Sequence, residues 1–158
     1  MKKTKLLLVT ALFFTATGAF AMADMFKNGV LHFDYKAEEL APAEAAARLK
    51  LEKDLQALIN IPKEQRTFEN TIMGYERAFD DYGNALGMSG FLSYVSTDKK
   101  FRDAANDLQM KISQYMVDVA TRRDVYKAIR EYTDTKPQLG PVEAKLVKEM
   151  LIGFKNSG

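Results

Sequence analysis

Apolar positions recur at helical spacing through most of this chain. Between Pro42 and Asn60, the residues Ala47, Leu51, Leu55, Leu58 and Ile59 fall three and four apart, which places them on one face of a helix. Ile61-Pro62 ends it, because the residue before a proline is pushed out of the helical region. Thr67 then offers a hydroxyl N-cap, and Phe68, Ile72, Tyr75, Phe79, Tyr82 and Leu86 form the strongest stripe in the chain. Gly83, Gly87 and Gly90 weaken the continuation by about 1 kcal/mol each relative to alanine, so the helix either kinks there or is carried by tertiary packing to about Val95. Ser96-Thr97-Asp98 supplies a turn and a new cap. Phe101, Ala105, Leu108, Ile112, Tyr115 and Val119 follow as a third helix, with Lys100, Asp103, Asp107, Lys111 and Asp118 on its polar face. A shorter fourth helix fits Arg123 to Tyr132, with Val125, Tyr126 and Ile129 inward. Lys136-Pro137 and Gly140-Pro141 mark the next loop, and Val142, Leu146, Met150, Leu151 and Phe154 define a fifth helix.

No segment alternates β-branched and polar residues with period two, so the fold class expected is all-α, a bundle of about five helices. Residues 1–21 read as a cleavable signal peptide: basic Lys2, Lys3 and Lys5, the apolar run Leu6 to Phe14 broken only by Thr10, then Ala19-Phe20-Ala21. The run is much shorter than the about 20 residues that span a bilayer, so a membrane anchor is not expected. Residues 22–41 carry no sustained period and read as an irregular lead-in, and 42–158 as the helical domain. The localisation expected is export, most simply to a bacterial periplasm.

Composition narrows the chemistry. The 158 residues carry 23 Lys plus Arg against 21 Asp plus Glu, a formal charge of +2. Loss of Lys2, Lys3 and Lys5 with the signal would leave the chain near neutral, without the clustered basic charge that nucleic acid or an anionic membrane requires. There is no cysteine, which excludes disulfides, thiolate metal sites and cysteine nucleophiles, and one histidine, which excludes any site needing two imidazoles. His32, beside Leu31 and Phe33, reads as a packing or surface residue, and pairing it with one of the scattered methionines on a haem is not expected. Glu38/Glu39 and Asp80/Asp81 are adjacent in sequence, so on a helix they point about 100° apart and read as solvated surface. Gly83, Gly87 and Gly90 lack the lysine and hydroxyl of a phosphate loop. No catalytic, cofactor-binding or metal-binding residue is assigned.

Thr67-Phe68-Glu69-Asn70-Thr71-Ile72, followed by Tyr75-Glu76-Arg77-Ala78, resembles a signature near the start of the thimet oligopeptidase, oligopeptidase A and peptidyl-dipeptidase family of zinc metallopeptidases. Leu40-Ala41-Pro42 and Ile59-Asn60-Ile61-Pro62 before it, with Tyr126 to Tyr132 and Phe154 to Gly158 after it, stand in the order of that family's N-terminal helices. The resemblance implies hydrolysis of short peptides in the full-length family, on a zinc held by two histidines of a His-Glu-x-x-His helix and a further glutamate. His32 is not followed by glutamate, so no catalytic position carries over and zinc is not expected in this chain. The resemblance implies a front piece that walls a substrate channel, with a missing catalytic domain as its partner and some apolar surface left exposed. The alternative is a freestanding periplasmic helical module that binds peptides or a protein and is not an enzyme.

Overall fold

The computed structural model describes residues Phe26–Lys27, Val30–Leu31 and 34–157. The signal segment 1–21 and His32 lie outside the described residues. Two short strands, β1 (Phe26–Lys27) and β2 (Val30–Leu31), pair antiparallel with Phe26 opposite Leu31. The rest is helical: α1 (Ala37–Ile59), α2 (Met73–Val95), α3 (Lys99–Ala120), α4 (Arg123–Thr133) and α5 (Pro141–Ser157).

Helix α1 starts at Ala37, so residues 37–41, read from the sequence as lead-in, are its first turn. Two local features account for the difference. Glu39 Oε2 accepts from the Lys36 backbone N–H at 2.8 Å, and Glu38 and Glu39 sit at the positive end of the helix dipole. Pro42 is therefore inside the helix rather than at its start, where its missing N–H forgoes one backbone bond. The other end is closed by a side chain distant in sequence. Arg66 donates from Nη1 to the Leu58 carbonyl and from Nη2 to that of Ile59, both at 3.0 Å, satisfying carbonyls that a helix end leaves open.

The start expected at Thr67 is present, with an added feature. The Thr67 hydroxyl accepts from the Asn70 N–H at 3.1 Å while Asn70 Oδ1 accepts from the Thr67 N–H at 2.8 Å, a reciprocal cap. Residues Phe68–Ile72 then form one wide π turn before α2 proper begins at Met73. Helix α2 runs through Gly83, Gly87 and Gly90 to Val95. Buried Ser89 and Ser93 tie their hydroxyls back to the carbonyls of Leu86 and Gly90. Asp98 caps α3 by accepting from the Lys100 N–H at 2.8 Å. Past α4, Lys136 takes a positive φ of 54°, which turns the chain toward Pro137.

Two buried clusters hold the helices together. One brings Leu51 and Leu55 of α1 against Ile72, Tyr82 and Leu86, then Val119 of α3, Val125 and Ile129 of α4, and Val147 and Met150 of α5. The other joins Leu40 and Ala43 of α1 to Met88 and Leu92 of α2 and to Phe101, Ala105 and Leu108 of α3. The early part of α1 thus meets the late part of α2, and the late part of α2 meets the early part of α3, an up-down-up arrangement. Of the aromatics in the stripe that begins at Phe68, Tyr82 is buried, and Phe68, Tyr75 and Phe79 pack half-buried on the chain's own first cluster. Tyr126, placed inward from the sequence, is half-buried, and Val142 is exposed.

Candidate functional site

Where α3 gives way to α4, Thr121 and Arg122 form a tight corner that α5 crosses with Phe154 and Lys155. Arg122 is fixed there by three hydrogen bonds to two carboxylates. Its Nε and Nη2 donate to the two carboxylate oxygens of Asp124 at 3.1 and 2.8 Å, and its Nη1 donates to Glu52 Oε2 at 2.7 Å. Glu52 in turn accepts from the Tyr115 hydroxyl at 2.6 Å, so α1, α3 and the start of α4 share one polar network. Arg122 beside it holds the Asp124 carboxyl below its ordinary range.

The corner opens into a hollow of about 720 Å³ lined by Thr121, Arg122, Arg123, Tyr126, Phe154 and Lys155. A second hollow, of about 320 Å³, adjoins it across Ala120 and Phe154 and is lined by Tyr75, Glu76, Leu146, Glu149, Met150 and Gly153. Together they make one groove along α5. Its floor is aromatic: the Phe154 ring lies 5.7 Å from Tyr126 and 5.8 Å from Tyr75, and Tyr75 is 4.5 Å from Phe79 between centroids. One end is basic through Arg123 and Lys155, and the other acidic through Glu76 and Glu149. Burial, then the charge of Glu76, pushes the Tyr75 hydroxyl up to about 12, so it stays protonated. Burial, then the nearby Asp80 carboxylate, pushes Glu76 itself up.

The acidic pairs singled out from sequence lie elsewhere and are exposed, as expected. Glu39 caps α1, and Asp81 accepts from Lys50 Nζ at 2.7 Å, a cation it shares with Asp54. Among the methionines, Met88 and Met150 are core residues and Met110 is exposed. The zinc that the resemblance implies for the full-length family has no fitting set of residues here. The chain has one histidine, and among the described residues no group of three or more histidines and carboxylates converges on a point that could hold a metal. Sequence reasoning missed the groove. The tandem Arg122-Arg123 at a helix junction was its one local signal, and its partners on α2 and α5 are distant in sequence.

These features define a helical bundle with a polar-ended, aromatic-floored groove. No family model matches the chain. It is 31% identical over 133 residues to a thimet-like oligopeptidase of Dictyostelium discoideum, across 81% of this chain and 20% of that protein. It is 24% identical over 94 residues to saccharolysin of Saccharomyces cerevisiae, across 59% of this chain and 13% of that protein. The chain therefore spans about a fifth or less of the curated relatives it matches. Both similarities support a relation to the thimet oligopeptidase family of metallopeptidases.

Proposed function

We propose that this chain is an exported, non-catalytic helical segment of an oligopeptidase-type zinc metallopeptidase. Its helices would wall the approach to a peptide-cleaving centre whose residues lie outside this sequence, admitting short peptides by steric selection. The observation that carries the reading is the 31% identity over most of this chain and only a fifth of the relative. The physical character of the bundle agrees with it. Two buried cores, and an α1–α2 corner in which Arg66 ties down the Leu58 and Ile59 carbonyls, make a rigid wall, and rigidity is what exclusion by size requires. Export rests on the basic, apolar and small-residue order of residues 1–21.

The test is reconstitution. The stretch matching this chain is deleted from the Dictyostelium relative, and residues 22–158 of this chain are added back to the truncated enzyme with a quenched fluorescent peptide. Chelator-sensitive cleavage should return on addition, while this chain alone should neither cleave nor retain stoichiometric zinc. Cleavage by the chain alone, or no gain on mixing, would overturn the proposal. Mass analysis of the product secreted by a bacterial host checks export, with cleavage expected after Ala21.

A further inference from the structure

We infer that the outward face of α2 joins a second copy of this chain, the two α2 helices crossing antiparallel at Gly87. Phe91 of each copy then lies over Gly83 of the other, and Tyr94 of each meets Asp80 of the other. The inference goes beyond the peptidase reading and does not rest on it.

The composition of the face is the first support. Outward positions of a surface helix ordinarily carry the charge that keeps it in water. In a chain that is 28% charged, no charged residue stands between Tyr82 and Thr97. The inward half of that run is accounted for, because Tyr82, Leu86, Ser89 and Leu92 are buried. The outward half is not: Gly83, Asn84 and Gly87 are exposed, and Phe91 and Tyr94 are 53% and 87% exposed. Nor does packing within the chain require the two glycines, since a Cβ at Gly83 or Gly87 would meet nothing within 4 Å, although each weakens the helix relative to alanine. A body that comes close to α2 from outside uses both features, the bare backbone and the projecting rings.

The order of residues along the helix says what that body is. Gly83 stands four residues before Gly87 and Phe91 four after it, about 6 Å each way along the axis. Asp80 stands seven before and Tyr94 seven after. An antiparallel copy reverses this order, so each Phe91 ring meets bare backbone and each Tyr94 hydroxyl donates to an exposed carboxylate. No like charges oppose one another at the crossing. Such matching of one patch to itself is what a twofold interface requires. The neighbouring helix widens the face. A Cβ on Gly90 would touch Gln109 of α3 at 3.4 Å, and beyond Gln109 stand Met110 and Val117, 66% and 59% exposed. Phe91, Tyr94, Met110 and Val117 together present on the order of 500 Å² of open side chain, which the glycine backbones and the Gln109 and Gln114 amides extend toward the about 800 Å² per partner of a specific interface.

Cross-linking of the full chain tests the geometry. The chain has no cysteine, so each substitution supplies a single thiol. Under mild oxidation Gly87→Cys should link to itself, because its two copies coincide at the crossing, within the about 4.4–6.8 Å between Cα atoms that a disulfide spans. An equal mixture of Gly83→Cys and Phe91→Cys chains should give chiefly the mixed dimer. Lys145→Cys, on α5, should stay unlinked. All four positions are exposed, so the thiols leave both buried clusters intact. Gly83→Leu with Gly87→Leu should weaken self-association at least tenfold in sedimentation equilibrium while helical content holds or rises, a combination that a purely structural role for the glycines would not give. Equal linking at all positions, self-linked Gly83→Cys in preference to the mixed dimer, or a leucine pair that associates as tightly as the parent would each overturn the inference. So would the absence of linking at every position, and if the leucine pair then also blocked reconstitution of the truncated relative, the occupant of the face would be the remainder of a longer chain. Cross-linking is read on this chain alone, so its failure is distinguishable from failure of reconstitution.

Discussion

Arg66 shows how much a single buried cation does in this molecule. Its side chain is only 3% exposed, and it supplies donors to the last two carbonyls of α1 beside the Glu131 carboxylate at 3.4 Å. Arg66→Ala would leave the Ile59 carbonyl without this donor and the Leu58 carbonyl with backbone N–H donors alone, and would remove the cation beside Glu131, so a loss of about 2–4 kcal/mol is expected in urea unfolding. Arg66→Lys should recover only part of it, because an ammonium lacks the planar fork that reaches two acceptors at once. At Thr67 the expected cost is smaller: Thr67→Ala removes one cap acceptor and should cost about 1 kcal/mol. The two residues differ in legibility for a physical reason. Thr67 bonds within three residues, so its role is written locally. Arg66 reaches back eight residues around a proline corner, and from sequence it looks like any solvated turn residue. The sign of pH dependence also belongs to this scale. Arg122 lowers the Asp124 carboxyl below its ordinary 3.8, so the pair stabilises the fold fully above that pH and less as pH falls through the folded-state value. Asp124→Asn should therefore be less stable than the wild type at neutral pH, with the gap closing in acid. A gap that widens in acid would show that another group controls the response.

Among the elements, α2 departs furthest from what propensity alone favours. It carries Gly83, Gly87 and Gly90 in an unbroken helix, and the reason is tertiary: Tyr82, Leu86 and Ser89 on its inner face are buried against α1 and α3. A Cβ at Gly83 or Gly87 would meet nothing within 4 Å, whereas at Gly90 it would touch the Gln109 amide nitrogen at 3.4 Å. Gly83→Ala and Gly87→Ala should each stabilise the protein by about 0.5–1 kcal/mol, and Gly90→Ala by less. Thermal unfolding of the three variants checks the order, and destabilisation at Gly83 or Gly87 would mean that the helix bends there. The helix starts divide along the same line as the residues did. Those of α2 and α3 follow from Thr67 and Asp98, whereas Pro42 drew the start of α1 five residues too late. A proline is compatible with either the first turn or, at the cost of one bond, the second, and its presence alone does not separate them.

At the scale of the whole molecule, the all-α bundle was legible because each helix writes its own buried face into consecutive residues. The groove was not, because Glu76, Arg123, Glu149 and Lys155 come together only when α2, α4 and α5 dock. Exposed apolar surface follows the same logic. The rings of the stripe from Phe68 to Tyr82 are occupied by the chain's own core. The surface left open lies beyond it, at the end of α2, where Phe91, Tyr94 and Val95 are 53%, 87% and 53% exposed and share one helical face. Large apolar side chains grouped this way favour association, since burying them releases ordered water without displacing any intramolecular contact. The isolated chain should therefore be helical by circular dichroism and show a mass that rises with concentration in analytical ultracentrifugation. Phe91→Ser with Tyr94→Ser should return it to a monomer while leaving the melting midpoint nearly unchanged, because neither side chain is part of a buried cluster. A wild-type chain that stays monomeric at high concentration, or a double variant that associates equally, would show that this face is not where the molecule meets another surface.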